Sequence, residues 1–221
     1  MRLGLFGGTF NPIHTGHIQV ALKVSESFAL DKILFIPSAL PPHKAPGDVV
    51  NVQDRLAMIH QALIPYPGFE ISDVELKRPG PSYTIDTVRY FKRVIDKNST
   101  IFLLLGLDAF LDIDTWKSYA DLFLLVPFIV ILRSCEKTHR AVDDRKIIEG
   151  YLKGKVSGDY QYSASRSCFS HKEKQPVFIF NTTPIDISST DIRQLIHKGE
   201  SIKQMVPDVV ENFIKRKGLY L

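Results

Sequence analysis

The chain contains little that would place it in a specialised class at once. Its 221 residues include two cysteines, Cys135 and Cys168, which lie too far apart for a metal-binding knuckle and are most simply reduced thiols. The sequence also lacks the roughly 20 consecutive apolar residues of a membrane-spanning helix. Its longest candidate, residues 122–132, is broken by Pro127. These absences argue against a disulfide scaffold, a zinc knuckle and a membrane protein.

The sequence also lacks a signal peptide and a strong charge imbalance. Residues 3–6 are apolar but run directly into Gly7 and Gly8, without the basic region, longer apolar core and cleavage site of a signal peptide. Lys and Arg together number 28 and Asp and Glu number 24, so the formal net charge is +4. This mild excess suits anionic ligands but equally an ordinary basic surface. Charge alone therefore decides nothing, and the missing leader and membrane span lead us to expect a cytoplasmic protein. Neither a membrane partner nor a nucleic-acid partner is expected.

Short apolar runs alternate with helical patterns along the chain, which indicates βαβ units and a parallel sheet. The runs are rich in Ile, Leu, Val and Phe, as buried parallel strands are, and lie at residues 3–6, 33–37, 69–76, 101–105, 128–132 and 177–180. Asn51, with Asp54 three residues later, predicts a helix start. The face of that helix is predicted to be Leu56, Ile59, His60 and Leu63. We predict one domain over residues 1–221, an α/β, doubly wound, Rossmann-like parallel sheet of about six strands with helices on both faces.

Two segments depart from this alternation. Residues 134–175 form a long, polar connection between the fifth and sixth predicted strands, and we expect a solvated insertion. A subunit contact in a homo-oligomer and a lid are the alternatives. Within it, residues 143–153 fit one helix, whereas residues 158–170, rich in Ser and Tyr, are expected to be a loop or a disordered segment. Residues 188–221 are predicted to form a C-terminal helical segment.

The stretch G-G-T-F-N-P-I-H-T-G-H, from Gly7 to His17, follows the first predicted strand and is called the first signature. Gly7 and Gly8 let backbone N–H groups approach a phosphate, and Thr9 can add a hydroxyl donor. His14 and His17 are spaced i, i+3, so both rings lie on one side of the first turn of a helix whose amino end favours anions. A zinc site is the weaker alternative, because no third acid or thiol ligand is near.

The stretch I-S-S-T-D-I-R, from Ile187 to Arg193, is called the second signature. Ser188, with Asp191 three residues later, predicts a capped helix start. The free N–H groups of that turn and the hydroxyls of Ser189 and Thr190 can meet a phosphate tail, and Arg193 can hold its charge one turn later. A capping box alone usually has only a structural role, so this interpretation depends on the first signature.

The first signature resembles the H-x-G-H motif of a nucleotidyltransferase superfamily. Class I aminoacyl-tRNA synthetases share that motif, but they are larger and need a K-M-S-K-S-like loop that this sequence does not show. Further motifs follow other predicted strands: P-P-H-K at residues 41–44, G-P-S-Y-T-I-D-T at residues 80–87, and G-L-D at residues 106–108 with Trp116 eight residues after Asp108. Together with both signatures they resemble bacterial nicotinate mononucleotide adenylyltransferases, over residues 1–116 and 187–221.

This resemblance implies that ATP and nicotinate mononucleotide are joined to give nicotinate adenine dinucleotide and pyrophosphate, with Mg²⁺ carried on the ATP phosphates and no metal site on the protein. The residues it implies for ATP are Gly7, Gly8, Thr9, Phe10, His14, His17, Gly106, Asp108, Ile187, Ser188, Ser189 and Arg193. Those for nicotinate mononucleotide are Lys44, Ser82, Tyr83, Thr84 and Trp116. The catalytic residues it implies are His14, His17, Lys44 and Arg193.

Two kinds of alternative stay open from the sequence. One keeps the superfamily but changes the acceptor to nicotinamide mononucleotide or 4′-phosphopantetheine, or changes the donor to that of a cytidylyltransferase. The other is a nucleotide-sensing or nucleic-acid-binding module that uses the basic part of residues 134–175. The G-P-S-Y-T stretch and Trp116 favour the pyridine mononucleotide over the other acceptors.

Overall fold

The computed structural model describes residues 1–39, 49–132, 139–182 and 186–221. The strands are β1 (Arg2–Gly8), β2 (Lys32–Pro37), β3 (Phe69–Ile71), β4 (Thr100–Gly106), β5 (Phe128–Leu132), β6 (Gln161–Ser163), β7 (Cys168–Ser170) and β8 (Val177–Asn181). The α-helices are α1 (Thr15–Ser27), α2 (Val52–Leu63), α3 (Thr84–Val94), α4 (Leu107–Leu111), α5 (Tyr119–Leu125), α6 (His139–Tyr151), α7 (Ser189–His197) and α8 (Asp208–Lys217). A 3-10 turn spans Ile113–Thr115, and a π-helical turn spans Leu152–Val156.

The strands form one sheet in the order β3-β2-β1-β4-β5-β8-β7-β6. The pairs β1–β4, β2–β3, β4–β5 and β5–β8 are parallel, and β6–β7 and β7–β8 are antiparallel. The register of the central pair places Leu3 opposite Ile101 and Leu5 opposite Leu103. The prediction of a doubly wound α/β fold is therefore confirmed. All six predicted strands exist, although β3 ends at Ile71 and is shorter than expected.

The predicted strand number is wrong, because the sheet has eight strands within the described residues. Residues 158–170, which were expected to be a loop or a disordered segment, contain β6 and β7. Tyr160 and Phe169 are fully buried there, and the Tyr160 hydroxyl donates to the Gln175 carbonyl at 2.8 Å. Strands of three residues at the end of a sheet need few apolar side chains, so the run of apolar residues that marks a central strand is missing.

The chain divides into two compact units. The first unit comprises Met1–Phe6, Ala29–Asp31 and Tyr83–Pro184, and the second comprises Gly7–Phe28, Lys32–Ser82 and Ile185–Leu221. Aromatic side chains lie in the core of the first unit, where the ring centroids of Phe123 and Phe128 are 4.5 Å apart. In the second unit, Phe35 packs against Phe69 with centroids 5.5 Å apart.

The helix predictions are right in position and wrong in one detail. Asn51 caps α2 as expected, since its Oδ1 accepts the Asp54 N–H at 2.9 Å. The buried side chains of α2 are Asp54, Arg55, Met58, Ile59, Ala62 and Leu63, and His60 is exposed. The buried face is thus rotated relative to the predicted one. The helix expected over residues 143–153 is present as α6 and begins earlier, at His139. In the part of the chain that the structure describes, no helix has the length and apolar character needed to cross a membrane.

Candidate functional site

The first signature forms the end of β1, a loop and the start of α1. Strand β1 continues through Gly7 and Gly8, so the two glycines end the strand rather than follow it as expected. A Cβ on Gly8 would lie 3.0 Å from the Phe10 ring, whereas a Cβ on Gly7 would meet no described atom within 4 Å. A side chain at position 8 would thus press on the Phe10 ring, whereas Gly7 leaves open space at the end of the strand.

Phe10 supports the start of α1. Its backbone has a positive φ of 49°, and its side chain is buried. The ring packs edge-on against His17, with centroids 5.1 Å apart, and at a tilt against Phe35 at 5.6 Å. Phe10 thus packs against the His17 ring from the core of the second unit.

His14 and His17 form a reciprocal cap at the start of α1. The His17 N–H donates to Nδ1 of His14, and the His14 N–H donates to Nδ1 of His17, each at 3.3 Å. The rings stack with centroids 3.6 Å apart, which confirms that both lie on one side of the turn. Because each Nδ1 accepts a hydrogen bond, the proton of each neutral ring belongs on Nε2. The cap therefore sets the tautomer that lets both rings act as donors from Nε2.

The second signature forms the start of α7, with Ile187 half-buried ahead of it. Ser188 is the N-cap, as predicted, since its Oγ accepts the Asp191 N–H at 3.1 Å and its hydroxyl donates to the Asp191 carboxylate at 2.6 Å. This reciprocal arrangement satisfies one helix-end N–H and places a negative charge in the first turn.

The two signatures meet within the second unit. The Ser189 hydroxyl donates to the Pro12 carbonyl at 2.9 Å. Nη1 of Arg193 donates to the Asn11 carbonyl at 2.9 Å and to the Ser189 carbonyl at 3.1 Å. The bonds from Ser189 to Pro12 and from Arg193 to Asn11 join residues 177 and 182 positions apart in the sequence. The helix starts that carry His14 and Ser189 are held by the same loop.

The residues expected at the acceptor lie at the start of α3. Tyr83 is the N-cap, and no side chain among the described residues caps this helix. In the first unit, the ammonium of Lys117 lies 4.4 Å from the centroid of the Tyr83 ring and 3.1 Å from the Asp86 carboxylate. In the second unit, Ser82 Oγ accepts the Ala39 N–H at 3.1 Å, which fixes the loop before α3 to the end of β2. Thr84 is half-buried and begins the helix.

The end of β4 and the turn after α4 carry the remaining predicted residues. Gly106 is the N-cap of α4, and Asp108 is exposed in its first turn. Trp116 follows the 3-10 turn and is only half-buried, which argues against a core aromatic. The turn before it is tied to α6, because the Tyr151 hydroxyl donates to the Asp114 carboxylate at 2.8 Å and accepts the Asp114 N–H at 2.9 Å. Lys155 pairs with the same carboxylate at 3.0 Å.

The predicted catalytic Lys44 lies outside the described residues. For metal ions, the described part of the chain contains no group of three or more His, Cys, Asp or Glu side chains that could hold one.

Sequence reasoning missed the roles of two buried polar residues of the second unit, one that contacts the first-signature loop and one within it. Arg55 on α2 is 1% exposed, and its Nη1 donates to the Thr9 carbonyl at 2.8 Å. Asn11 is also 1% exposed, and its Oδ1 accepts from the Val50 N–H at 3.2 Å and the Tyr220 hydroxyl at 3.0 Å. A signal for Arg55 exists in the sequence: it occupies the same helical stripe as Met58, Ile59 and Ala62, where a charge is unusual.

Comparisons with known proteins agree with this geometry. A family model described as cytidylyltransferase-like matches residues 5–195, which include both signatures. In fold, the chain is similar to Plasmodium falciparum nicotinic acid mononucleotide adenylyltransferase complexed with NaAD, with a TM-score of 0.72, 20% identity and coverage of 99% of this chain and 97% of that one. The class defined by fold and signatures is thus a nucleotidyltransferase of the cytidylyltransferase-like type.

Sequence relatives narrow this class. A protein of Desulfatibacillum aliphaticivorans named "Probable nicotinate-nucleotide adenylyltransferase" is 41% identical over 100% of both chains. A protein of the same name from Geobacter sp. (strain M21) is 36% identical over 100% of this chain and 99% of its own length. The chain therefore belongs to the nicotinate-nucleotide adenylyltransferase family.

Proposed function

We propose that this protein joins ATP and nicotinate mononucleotide to give nicotinate adenine dinucleotide and pyrophosphate, a step of NAD biosynthesis. The observation that carries the proposal is the meeting of the two signatures, in which Arg193 donates to the Asn11 carbonyl three residues ahead of the stacked His14 and His17. The full-length similarity to proteins named nicotinate-nucleotide adenylyltransferases supports the same reaction. The reaction takes place in the cytoplasm and needs no membrane or nucleic-acid partner.

The reaction requires positioning and charge neutralisation rather than a protein nucleophile. An oxygen of the mononucleotide 5′-phosphate attacks the α-phosphorus of ATP, and the bond from that phosphorus to the bridging oxygen breaks. Pyrophosphate leaves with the electron pair and the developing charge. His14 and His17 donate from Nε2 to the phosphate oxygens, and Arg193 and Lys44 supply positive charge. Mg²⁺ enters as part of the substrate MgATP.

The starts of α1 and α7 add further donors for the phosphates. Helix amino ends carry partial positive charge and unpaired N–H groups, which favour anions. The residues that we assign to ATP on this basis, besides the two histidines and Arg193, are Gly7, Gly8, Thr9, the Phe10 backbone, Ile187, Ser188 and Ser189. Gly106 and Asp108, at the end of β4, are assigned to the adenosine.

The acceptor is bound through the start of α3 and the turn after α4. The backbone N–H groups of Tyr83 and Thr84 bind the pyridine carboxylate, and Trp116 stacks on the pyridine ring. The assigned residues on this side are Lys44, Ser82, Tyr83, Thr84 and Trp116. The side chain of Lys117 lies over the Tyr83 ring and is paired with Asp86, so it orders the start of α3 rather than adding net charge.

Pyrophosphate release with a panel of acceptors tests the proposal. The protein, ATP and Mg²⁺ are incubated separately with nicotinate mononucleotide, nicotinamide mononucleotide and 4′-phosphopantetheine. Release only with 4′-phosphopantetheine would show that the acceptor is wrong while the class of reaction is right.

Competition between the two pyridine mononucleotides in one tube tests the carboxylate site. Backbone N–H donors at a helix amino end favour a carboxylate, which carries a charge and accepts only, over a carboxamide. Charge-assisted hydrogen bonds contribute about 1.5 to 3 kcal/mol each, so two of them predict a preference on the order of 10²-fold or more for the acid. The ratio of the two dinucleotide products measures it. Equal use of both mononucleotides would contradict the assignment of Tyr83 and Thr84.

A further inference from the structure

A buried cation joins the ends of β1 and β2 in the second unit. Nη1 of Arg55 donates to the Thr9 carbonyl at 2.8 Å, and Nη2 donates to the Ser38 carbonyl at 2.9 Å. Nε of the same side chain is buried without a hydrogen-bond partner among the described residues. Burial lowers the pKa of the Arg55 guanidinium from its ordinary value. The fold thus keeps a charge in a place where desolvation opposes it.

Stability alone is a poor explanation for this charge. Replacing a buried charged group by a well-packed apolar one is often neutral or stabilising, because the desolvation cost disappears with the charge. Both hydrogen-bond partners of the Arg55 guanidinium among the described residues are backbone carbonyls, not carboxylates. What the guanidinium supplies, and an apolar side chain would not, is a rigid pair of parallel donors. It fixes the direction of two carbonyl groups that follow neighbouring strands.

The other side of the same loop is held through Asn11. Its Oδ1 accepts from the Tyr220 hydroxyl at 3.0 Å and from the Val50 N–H at 3.2 Å, and its backbone carbonyl accepts from Arg193 at 2.9 Å. Burial raises the pKa of the Tyr220 hydroxyl, so the group stays protonated and donates at neutral pH. Both the side-chain oxygen and the backbone oxygen of Asn11 therefore accept hydrogen bonds.

These contacts have an electrostatic consequence for the first signature. A carbonyl oxygen is the negative end of the peptide dipole and repels a phosphate. The carbonyls of Thr9 and Asn11 are turned toward the guanidinium groups of Arg55 and Arg193. Without these donors, either carbonyl could rotate toward the nucleotide and add repulsion where the phosphates bind. A displacement of about 1 Å at such a site can lower a rate by about 10²-fold.

We propose that Arg55 and Tyr220 are positioning residues of the phosphate site, which hold Thr9 and Asn11 in the conformation that the reaction needs without touching the nucleotide. The inference rests on the proposed function for its kinetic consequence. Its structural part, the fixing of the loop, holds independently of which acceptor the enzyme uses.

Two variants test the proposal. Tyr220→Phe removes one hydroxyl and preserves the ring, and Arg55→Lys keeps the charge but replaces the two-pronged donor by a single ammonium. We expect kcat to fall by roughly tenfold in Tyr220→Phe and by on the order of 10²-fold in Arg55→Lys, with a smaller change in the acceptor KM. Tyr90→Phe, on an exposed tyrosine, is the matched control for losing a hydroxyl.

A destabilised control separates positioning from folding. Met58→Ala removes a buried side chain from the same helix but no donor to the loop, so it lowers stability without affecting the loop carbonyls. All variants are assayed well below their Tm. If Met58→Ala loses as much kcat as Arg55→Lys, the role of Arg55 is structural only and the proposal is wrong.

Hydrogen exchange in the ligand-free protein gives a readout that does not depend on the reaction. The Val50 N–H reports on Asn11, and the Ser38 N–H, which donates to the Gly8 carbonyl at 3.0 Å, reports on the ends of β1 and β2. We expect exchange at Val50 to be roughly three- to tenfold faster in Tyr220→Phe, and exchange at Ser38 to accelerate in Arg55→Lys. Unchanged exchange overturns the inference, even if the wild type proves inactive with nicotinate mononucleotide. Faster exchange with an unchanged kcat in the variants also overturns the inference. If the wild type is inactive but exchange is faster in the variants, only the proposed function is contradicted.

Discussion

At the scale of single residues, the two histidines of the first signature use different ring atoms for the fold and, by our proposal, for the ligand. Each Nδ1 completes the reciprocal cap of α1, which leaves Nε2 as the atom that we propose donates to a phosphate oxygen. The sequence spacing predicted that His14 and His17 share one side of the helix. It could not show the cap, because His is not among the residues that usually occupy an N-cap.

His17→Ala separates these two contributions. We expect turnover to fall by about 10²-fold or more, the size of effect seen when a preorganised transition-state donor is lost, and the free energy of unfolding to fall by about 1 kcal/mol with the lost cap. Steady-state kinetics and denaturant unfolding measure the two effects. Near-normal turnover would mean that the first signature has only a structural role.

His17→Gln is the matched comparison, because Gln at the third helical position can still accept the N-cap N–H. It should recover most of the stability but little of the turnover. His197→Ala, on an exposed histidine, is a control for general effects of losing an imidazole.

Arg193 connects the second signature to the Asn11 carbonyl and, by our proposal, holds charge on the triphosphate. Arg193→Ala should lower kcat/KM for ATP by roughly 10- to 10²-fold, as expected for a charge-assisted hydrogen bond of about 1.5 to 3 kcal/mol, and change the acceptor KM much less. Varying one substrate at a saturating level of the other measures both. Arg89→Ala, which removes an exposed ion pair with Asp121, should leave both KM values near wild type.

At the scale of elements, helix α6 and the π-helical turn after it brace the 3-10 turn that precedes Trp116. The sequence marked residues 134–175 as a solvated insertion, and nothing in its composition indicated contacts to Asp114. Tyr151 and Lys155 make those contacts. Contacts between residues about 40 positions apart depend on how the sheet brings elements together, so a local pattern could not reveal them.

The acid stability of this brace follows from the pKa of Asp114, which Lys155 first and Tyr151 second hold below its ordinary value. A carboxyl with a lowered folded pKa stabilises the protein above its unfolded pKa of about 4, and the stabilisation is lost as the pH falls through the folded pKa. Asp114→Asn should therefore be less stable than wild type at neutral pH, and the difference should shrink below about pH 4. Urea unfolding across pH measures it. A difference that stays constant from pH 7 to pH 3 would contradict the role of the charge.

Helix α2 shows where sequence reasoning about an element goes wrong. Its start was predicted from Asn51 and Asp54, and the structure confirms it. Its buried face differs from the predicted one because Arg55 is buried and His60 is exposed. The position of Arg55 in the apolar stripe is visible in the sequence, but its hydrogen bonds to the carbonyls of Thr9 and Ser38 depend on the fold and are not.

At the scale of the whole molecule, the sequence was informative wherever long apolar runs mark central strands. The predicted bounds of β1, β4, β5 and β8 lie within one or two residues of the observed ones. The reason is that a short run of Leu, Ile, Val and Phe fits few structures other than a buried strand. Strands β6 and β7 were missed because their three-residue segments, Gln-Tyr-Ser and Cys-Phe-Ser, are too short to show such a pattern. The signatures were found because they combine turn chemistry with residues that suit phosphates.

Whether Mg²⁺ binds to ATP or to the protein itself can be tested on the intact protein. If Mg²⁺ is bound through ATP, the purified protein should hold less than stoichiometric metal, and EDTA should stop the reaction without changing the Tm of the ligand-free protein. Excess Mg²⁺ should restore activity at once, with no refolding step. Elemental analysis and thermal unfolding with and without EDTA measure this. A fall in Tm on chelation would indicate a metal site on the protein itself.

The short strands at the two ends of the sheet order bear on how the chain avoids aggregation. Strands β3 and β6 have three residues each, so each offers only about 10 Å of backbone to a neighbouring molecule. Strands β4 and β5, in contrast, are long, almost entirely apolar segments of the kind that stack into fibres when exposed. The inconspicuous Ser- and Tyr-containing residues of β6 and β7 thus help to close one side of the sheet against intermolecular strand pairing. Deleting them as a dispensable insertion would expose the edge of β8 and, with it, a template for amyloid-like growth.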